Sequence, residues 1–389
     1  MTRTTAQRPK DRKDTIVQAA AELFATRGFA AVGIDDIGAR VGVTGPAIYR
    51  HYRGKDAVLI AVLERTTSAL ADAVDDTGGD DGADPIERFV RASVQLVLDQ
   101  PSLTATYLRE RGRLTRDEAQ PLAAAERRVR TAWLEAMRAV HPDLDDDRAA
   151  LRRRAVVAAL STGARQHPDV SRPRLDDLLV ASAVGMVTAP PAPRDPSPRR
   201  SGWHAPTSKR DEILHAALAL FRSRGVSGVG VDEIGAAAGI SGPTLYHYFP
   251  SKADIVLDAY DQAGARVSAA VDEATRGARS ASDALDRLVA SYVAIVADSV
   301  DLIVVTSREA EALPSADKPR LARRRKGLRD AWVSVLMGVR DDLEEPEARL
   351  LVRCLFPVVN HAVEAAAGMK GMEGEIVAVA NAHLRHEAK

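Results

Sequence analysis

Cysteine and aromatic residues are scarce in this sequence. It contains a single cysteine, Cys354, and aromatic side chains make up 4% of its 389 residues. One cysteine cannot form a disulfide within the chain, which excludes a disulfide-stabilised framework and favours a reducing compartment. Ala, Leu, Val and Arg dominate instead, and this composition favours helices over sheets. We therefore expect an all-α protein.

Long apolar runs are also lacking. The most apolar stretch, residues 178–187, is too short for a transmembrane helix, which needs about 20 residues. The N-terminal segment is polar and lacks the apolar core of a signal peptide. These features favour a soluble cytoplasmic protein without a membrane partner.

Neither sign of charge is in excess, since 54 Lys and Arg balance 54 Asp and Glu. The charges are nevertheless segregated along the chain. Residues 1–60 hold ten basic against six acidic side chains, an excess of +4 (10 − 6), and acidic residues concentrate between positions 72 and 87. Local charge governs nucleic-acid binding, so a neutral net charge does not exclude a nucleic-acid partner.

The chain repeats itself with a spacing of 197 residues. Residues 12–59 align with residues 209–256 without a gap, and 19 of the 48 positions are identical. Weaker traces continue further on, where Arg109 corresponds to Arg308 after a small insertion. Two units of roughly 190 residues in one chain are therefore expected.

Each repeat begins with the pattern of a helix-turn-helix. In the first repeat, apolar residues at helical spacing predict an amphipathic helix that ends at Gly28. A short second helix is expected from Gly33 to about Gly42. A third helix follows, with Thr44 as its N-cap and Pro46 in its first turn. The apolar stripe of the first helix consists of Ile16, Ala19, Ala20, Leu23 and Phe24.

The segment around the third helix resembles the TetR/AcrR family of repressors in both repeats. The residues of the second repeat that match the family pattern are Ser241, Tyr246, Phe249, Ser251 and Lys252. The resemblance implies that each unit is a three-helix DNA-binding domain followed by a helical bundle for ligand binding and dimerisation. Members of the family usually dimerise from separate chains, whereas this chain supplies both DNA-binding units itself.

The repeat and the resemblance together predict two tandem TetR-like units joined by a linker. Prolines make that linker extended and semi-rigid. The predicted segments are a first helix-turn-helix domain (1–60), a first ligand-binding and dimerisation domain (61–188), the Pro-rich linker (189–206), a second helix-turn-helix domain (207–257) and a second ligand-binding and dimerisation domain (258–389).

The resemblance places the third helix of each repeat in the major groove of a double-stranded DNA operator. Tyr49 and Tyr246 would contact phosphates, and the lysine at the start of the fourth helix would do the same. Ile48 and Leu245, on the same helices, are expected in the core. The predicted DNA contacts are Thr44, Gly45, Pro46, Ala47, Tyr49, Arg50, His51, Lys55, Ser241, Gly242, Pro243, Thr244, Tyr246, His247, Tyr248 and Lys252.

The two recognition helices differ where they would face the bases. Ala47, Arg50 and His51 of the first repeat correspond to Thr244, His247 and Tyr248 of the second. Arginine can bond guanine through two hydrogen bonds, whereas alanine offers only an apolar contact, so the two units should read different half-sites. In an alternative interpretation the first helix-turn-helix is structural only, since Ala47, Arg53 and Gly54 depart most from the family pattern.

The remaining helices are rich in Ala, Val and Leu, so a ligand cavity among them would be mainly aliphatic. The family analogy suggests a repressor released by a small apolar effector such as a lipid or an acyl-coenzyme A. Arg109 or Arg308 could hold a carboxylate or phosphate of that ligand, and the alternative is a structural pair with the neighbouring glutamate. The candidate ligand-binding residues are Tyr107, Arg109, Trp133, Arg308 and Trp332.

The last helices of each repeat are apolar with small residues and suit a helix–helix interface. By analogy, the first repeat is expected to pair with the second as an intrachain pseudo-dimer, and further association of two chains is left open. Signs of catalysis are lacking: there is no P-loop or Gly-x-Ser-x-Gly, and His383-x-x-His386 has no third metal ligand nearby. We predict no enzyme activity, no metal and no cofactor.

Overall fold

The computed structural model of the chain describes residues 9–75, 85–165, 169–194, 206–308 and 318–387. These residues form helices, turns and loops without any strand, which confirms the predicted all-α class. Most of the predicted linker and of the acidic run lies outside the described residues. Within the described ranges, no helix is long and apolar enough to cross a membrane.

The first repeat consists of nine α-helices in its described part. Short 3₁₀ helices at Arg111–Arg113 and Gln120–Leu122 connect the sixth helix to the seventh. The helices are α1 (Pro9–Arg27), α2 (Ile34–Arg40), α3 (Gly45–Ile48), α4 (Lys55–Asp75), α5 (Pro85–Asp99), α6 (Pro101–Glu110), α7 (Ala123–Val140), α8 (Asp146–Gly163) and α9 (Arg172–Thr188).

The second repeat has the same order of helices in the part that the structure describes. Its first three helices have nearly the lengths of their counterparts in the first repeat. They are α10 (Lys209–Arg224), α11 (Val231–Ala237), α12 (Gly242–Leu245), α13 (Lys252–Arg276), α14 (Ala281–Asp298), α15 (Val300–Arg308), α16 (Lys318–Met337), α17 (Glu345–Ala365) and α18 (Glu373–Arg385).

The chain divides into two compact units whose boundary differs from that of the repeats. Unit 1 comprises Met1–Asp143, Leu160–Gln166 and Arg172–Val180. Unit 2 comprises the remainder, namely Leu144–Ala159, His167–Ser171 and Ala181–Lys389. The beginning of α8 and the end of α9 belong to the first repeat in sequence and to unit 2 in space.

The core of the first helix-turn-helix is the one that the sequence pattern predicts. Four residues of the apolar stripe on α1 are buried and Leu23 is half-buried. Ile37 on α2 and Ile48 on α3 are fully buried against this stripe, and Val58 and Leu59 of α4 complete the cluster. Helices α2 and α3 are too short to be stable alone, and the burial of these apolar side chains stabilises them.

The turn between the second and third helices requires glycine at two places in each repeat. Gly42 and Gly239 adopt the left-handed conformation, with φ of +71° and +69°. At Gly38, a Cβ atom would lie 2.8 Å from the carbonyl oxygen of Val43, and at Gly235 it would lie 2.9 Å from that of Ile240. The backbones of the two helices therefore approach each other closely in both repeats.

Substituting alanine for the buried helix glycine should destabilise each helix-turn-helix. We expect Gly38→Ala and Gly235→Ala to lower the free energy of unfolding by about 1–3 kcal/mol, because the methyl group meets backbone that cannot move aside. Urea denaturation followed by circular dichroism measures the change. Gly54→Ala is the control, because a Cβ there meets nothing within 4 Å; equal losses at Gly38 and Gly54 would contradict the prediction.

Candidate nucleic-acid interface

The third helix of each repeat buries one side chain and exposes the next one. Ile48 and Leu245 are fully buried, whereas the adjacent Tyr49 and Tyr246 are 58% and 53% exposed. Large aromatic side chains with this exposure are uncommon on a protein surface unless they serve recognition. Ile48 and Leu245 thus lie in the core as expected, and the phosphate contacts of the two tyrosines stay a prediction.

The N-caps of the two helices occupy the same conformation but differ in their bonding. Thr44 and Ser241 both have extended backbone, with ψ of 154° and 152°. The Ser241 hydroxyl accepts a hydrogen bond from the Thr244 N–H and lies 2.7 Å from the Thr244 hydroxyl. The Thr44 hydroxyl makes no capping bond, although the structure describes this whole segment. The second recognition helix is therefore the better capped one.

Two of the predicted DNA contacts, Gly45 and Gly242, are buried for a packing reason. A Cβ atom at Gly45 would lie 2.0 Å from a carboxylate oxygen of Asp35, and at Gly242 it would lie 1.9 Å from one of Asp232. These aspartates begin the second helix of each repeat and press against the first turn of the third helix. A Cβ at either position would displace the aspartate carboxylate, so glycine leaves room for that side chain against the third helix. Contact of these glycines with DNA stays a prediction.

The lysines at the start of the fourth helix hold the loop before the second helix. The Lys55 ammonium donates to the carbonyl oxygen of Phe29 at 2.9 Å and lies 4.3 Å from the centre of its ring. The Lys252 ammonium donates to the carbonyl oxygens of Val226 and Val229, each at 2.8 Å. Each lysine therefore shapes the helix-turn-helix, and its predicted phosphate contact would use the remaining donor capacity.

The side chains that would read bases remain accessible in both repeats. Arg50 and His247 are exposed, and Ala47, Thr244, His51 and Tyr248 are half-buried. Pro46 and Pro243 are exposed in the first turn, and prolines are tolerated there because the first N–H groups of a helix have no partner inside it. The predicted base contacts are thus at least partly accessible in both repeats, on or next to a helix whose tyrosine is exposed.

An ion pair common to both repeats was missed in the sequence, although two of its four members are identical in the alignment. Arg27 pairs with Asp36 at 3.3 Å, and Arg224 pairs with Glu233 at 2.8 Å. Each acid also accepts a hydrogen bond at 2.7 Å from the N-cap glycine of the second helix. The sequence signal for this ion pair is an arginine at the end of the first helix of each repeat, followed nine residues later by an acidic residue.

The candidate ligand residues around α6 make contacts within unit 1. The Tyr107 hydroxyl donates to Glu126 at 2.7 Å, and Arg111 donates to the same carboxylate at 2.5 Å. Arg109 is exposed, with its guanidinium beside Gly28. The neighbouring Glu110 is buried, accepts from the Phe29 N–H at 3.2 Å and pairs with Arg113 at 3.4 Å. The expected Arg–Glu pair thus forms with Arg113 rather than with Arg109.

The two candidate tryptophans are buried in aromatic contacts. Trp133 meets Phe89 edge to face at 4.5 Å between ring centres. Trp332 lies 6.1 Å from Tyr292 and 5.8 Å from Phe356. The Tyr292 hydroxyl donates to Asn360 at 3.0 Å, and burial raises its pKa. The Trp332 indole N–H has no acceptor among the described residues. The side chain of Arg308, the remaining candidate ligand residue, lies outside the described part of the structure.

His383 is buried and does not face a metal-ligand set. Its ring lies 2.5 Å from the Ser182 hydroxyl through Nδ1 and 2.9 Å from the Leu351 carbonyl oxygen through Nε2. Burial lowers the pKa of His383 to about 4, so the ring is neutral at pH 7. Among the residues that the structure describes, no group of three or more His, Cys, Asp or Glu is placed to hold a metal ion.

Two matching helix-turn-helix units with exposed recognition helices define a DNA-binding protein of tandem architecture. Comparison with known proteins identifies the family. The sequence model described as "Bacterial regulatory proteins, tetR family" matches residues 16–62 and 213–259. The chain is 32% identical over 151 residues to the HTH-type transcriptional repressor KstR2 of Mycolicibacterium smegmatis, which covers 36% of this chain and 70% of that protein. The chain therefore belongs to the TetR family and is a tandem TetR-type transcriptional regulator.

Other relatives differ in how much of the chain they match. The HTH-type transcriptional activator FasR of the same species is 39% identical over 67 residues, or 17% of this chain and 31% of that protein. Among solved structures, a TetR-family transcriptional regulator from Bordetella parapertussis is 22% identical with a TM-score of 0.43. It covers 46% of this chain and 95% of its own.

Proposed function

We propose that the chain is a transcriptional repressor whose two helix-turn-helix units both contact DNA and which releases its operator when a small apolar ligand binds. The exposure of Tyr49 and Tyr246 on equivalent recognition helices is the observation that carries the proposal. A first unit retained only as scaffold would not need an exposed tyrosine at this position. The exposed Tyr49 therefore favours DNA contact by the first unit over the structural-only alternative.

The two units differ in the chemistry that they present to the bases. Arg50 adds a positive charge and a two-pronged donor, whereas His247 stands at the same place in the second unit. Thr244 turns its hydroxyl toward Ser241, while Ala47 has no polar atom to offer. The operator bound by one chain is accordingly proposed to be asymmetric, with a different half-site for each unit.

Removing either tyrosine should weaken protection of one half of the operator. We expect Tyr49→Ala and Tyr246→Ala each to reduce DNA affinity on the order of tenfold through the lost phosphate contact. Footprinting of the full-length protein on the DNA upstream of its own gene shows which half is lost. Leu108→Ala removes an exposed side chain elsewhere and serves as the control. If Tyr49→Ala leaves the footprint intact, the first unit is scaffold.

Pairing of the two repeats within one chain is supported by contacts inside unit 2. Arg152 of α8, which belongs to the first repeat, is fully buried. Its guanidinium donates to Glu375 of α18 at 2.7 Å and to the Val187 carbonyl oxygen at 2.8 Å. We propose that these helices form the interface of an intrachain pseudo-dimer, which takes the place of the symmetric dimer formed by two chains.

The aromatic cluster of the second repeat is the proposed position of the ligand. Trp332, Tyr292 and Phe356 form a cluster of aromatic rings. The Trp332 indole N–H, which has no acceptor among the described residues, is a buried donor that an acceptor on the ligand can satisfy. A lipid or acyl-coenzyme A carries both a long apolar part and a carbonyl group. A separate cleft of about 260 Å³ between α13 and α16 contains Asp272 and suits an apolar ligand less well.

Loss of the indole donor should weaken the response to ligand. With palmitoyl-coenzyme A and palmitate as probes, we expect Trp332→Phe to need about tenfold more ligand to release half of the bound DNA. Trp133→Phe, in the first repeat, is the matched control. Fluorescence anisotropy of labelled operator DNA measures the release. An equal response in the parent and in both variants would exclude Trp332 from the ligand site.

A further inference from the structure

The buried carboxylate of Glu375 joins three segments of unit 2. It accepts hydrogen bonds from Arg152 of α8 at 2.7 Å and from the backbone N–H of Ala192, just before the undescribed part of the linker, at 2.9 Å. Arg148 approaches it at 3.4 Å. Glu375 is 1% exposed and Arg152 is fully buried. A buried carboxylate in this position is costly unless its cationic partner is present.

Equivalent positions in the two repeats can be assigned from the helix starts. Helices α8 and α17 begin at Asp146 and Glu345, a shift of 199 (345 − 146), and α9 and α18 begin at Arg172 and Glu373, a shift of 201 (373 − 172). Most buried positions on these helix pairs coincide under these shifts. The equivalent residues are then Arg152 and Leu351, Arg174 and Glu375, Ser182 and His383, and Gly185 and His386.

The ion pair in unit 2 depends on the two repeats being different. Arg152 meets Glu375, which occupies the position of Arg174 in the other repeat. If two first repeats paired in the same way, Arg152 would face Arg174 and like charges would repel. If two second repeats paired, Glu375 would face Leu351 and remain buried without a cation. The ion pair is therefore formed only between unlike repeats.

Two further contacts also favour pairing between unlike repeats over pairing between like repeats. Ser182 and His383 are equivalent residues and contact each other at 2.5 Å, so this contact lies where a pseudo-twofold axis would pass. At Gly185, a Cβ atom would lie 2.6 Å from the Cβ of His386 and 2.9 Å from the Ala382 carbonyl oxygen. A histidine there, as the second repeat carries at this position, would not fit. Glycine in one repeat thus makes room for histidine in the other.

We propose that Arg152–Glu375, Ser182–His383 and Gly185–His386 form a pairing code that selects the other repeat of the same chain as partner and rejects a like repeat of a second chain. The proposal rests on the proposed intrachain pseudo-dimer and assigns its specificity. The backbone N–H of Ala192 donates to Glu375 and so fixes the chain after α9 to α18. This contact raises the effective concentration of the second repeat next to the first.

A double-mutant cycle on the full-length chain tests the code. The variants are Arg152→Leu, Glu375→Leu and the double variant, and the readouts are the mass in light scattering and the midpoint of thermal unfolding. We expect the parent to be a monomer of 41.7 kDa. Arg152→Leu leaves Glu375 with the more distant Arg148, and Glu375→Leu leaves the buried Arg152 without its carboxylate. Each single substitution should therefore lower the midpoint by about 5–10 °C, whereas the double variant should recover most of the loss. Glu345→Arg is the control, because Glu345 forms an exposed ion pair with Arg349. This substitution should lower the midpoint of thermal unfolding by less than either single substitution at the buried pair.

A steric variant tests the code independently of charge. Gly185→His gives the first repeat the residue that the second carries, so the two repeats should no longer pair. We expect a lower midpoint of thermal unfolding and a loss of tenfold or more in operator affinity. Gly112→His is the control, since a Cβ at Gly112 meets nothing within 4 Å. Additive losses in the cycle, or a parental midpoint and operator affinity for Gly185→His, would overturn the code while leaving the pseudo-dimer intact. A parent of twice the monomer mass that Gly185→His converts to a monomer would instead overturn the proposed intrachain pairing, because the repeats would then pair between two chains.

Discussion

A chain with the triple substitution Ala47→Thr, Arg50→His and His51→Tyr is expected to prefer a palindromic operator. The substitutions give the first recognition helix the residues that the second carries at the predicted base contacts. The turn glycine and the buried position of the third helix correspond in the two repeats. Because a mismatched base pair costs about 1–3 kcal/mol, the preference between the natural site and a palindrome of the second half-site should shift roughly 10- to 100-fold.

Competition binding measures this shift, with the natural operator and the two possible palindromes as competitors at fixed salt. Fixed salt matters because phosphate contacts make affinity strongly salt-dependent. The reverse graft, Thr244→Ala, His247→Arg and Tyr248→His, should favour the palindrome of the first half-site. Unchanged preferences in both grafts would show that specificity resides outside these three positions. A lower affinity for all sites alike would indicate a damaged helix instead.

The helix-turn-helix could be predicted from the sequence because its determinants are local and occur twice. The apolar stripe on α1, the turn glycines and the proline of the third helix all lie within about 40 residues, and each has a short-range physical reason. Two copies with the same pattern separate the scaffold from the variable reading residues. What the pattern could not show is that the carboxylate of Asp35, ten residues earlier, occupies the space where a Cβ at Gly45 would lie.

Contacts between distant segments were less accessible to sequence reasoning. The family resemblance predicts a DNA contact for Lys55, but its hydrogen bond to the Phe29 carbonyl depends on how the loop before α2 folds back onto α4. Arg109 and Glu110 are adjacent in sequence, yet successive residues of a helix point in different directions and do not face each other. Their partners accordingly differ.

The pairing code was hidden for a related reason. A single shift of 197 residues aligns the DNA-binding segments, but insertions change the shift to 199 at α8 and 201 at α9. With the shift of 197, Ser182 and His383 do not appear as equivalent positions. Their relation becomes visible only once the helix starts are known, because helices rather than loops keep their register between duplicated units.

Unfolding should become easier on mild acidification because of His383. Burial lowers the pKa of this side chain from 6.5 to about 4 in the folded protein. Between these two pKa values the unfolded chain binds the proton more strongly than the folded chain does. The free energy of unfolding therefore decreases as the pH falls through this window, and the contribution of His383 is fully present above pH 6.5. The shift corresponds to a loss of about 3 kcal/mol between pH 7 and pH 4.

Comparing the parent with His383→Gln isolates this contribution. Other groups respond to the same acidification, including His215, whose pKa is also lowered by burial, and Asp211, whose pKa is lowered by the Ser208 hydroxyl. They remain in both proteins, so the difference between the two urea-unfolding profiles against pH reports His383 alone. His247→Gln, at an exposed position, should reproduce the parental profile. If the free energy of unfolding falls more steeply below pH 6.5 in the parent than in His383→Gln, protonation of His383 destabilises the protein. Because His383 contacts Ser182, this destabilisation would lie in the helices of unit 2. Parallel profiles would show that the buried ring accepts a proton without cost.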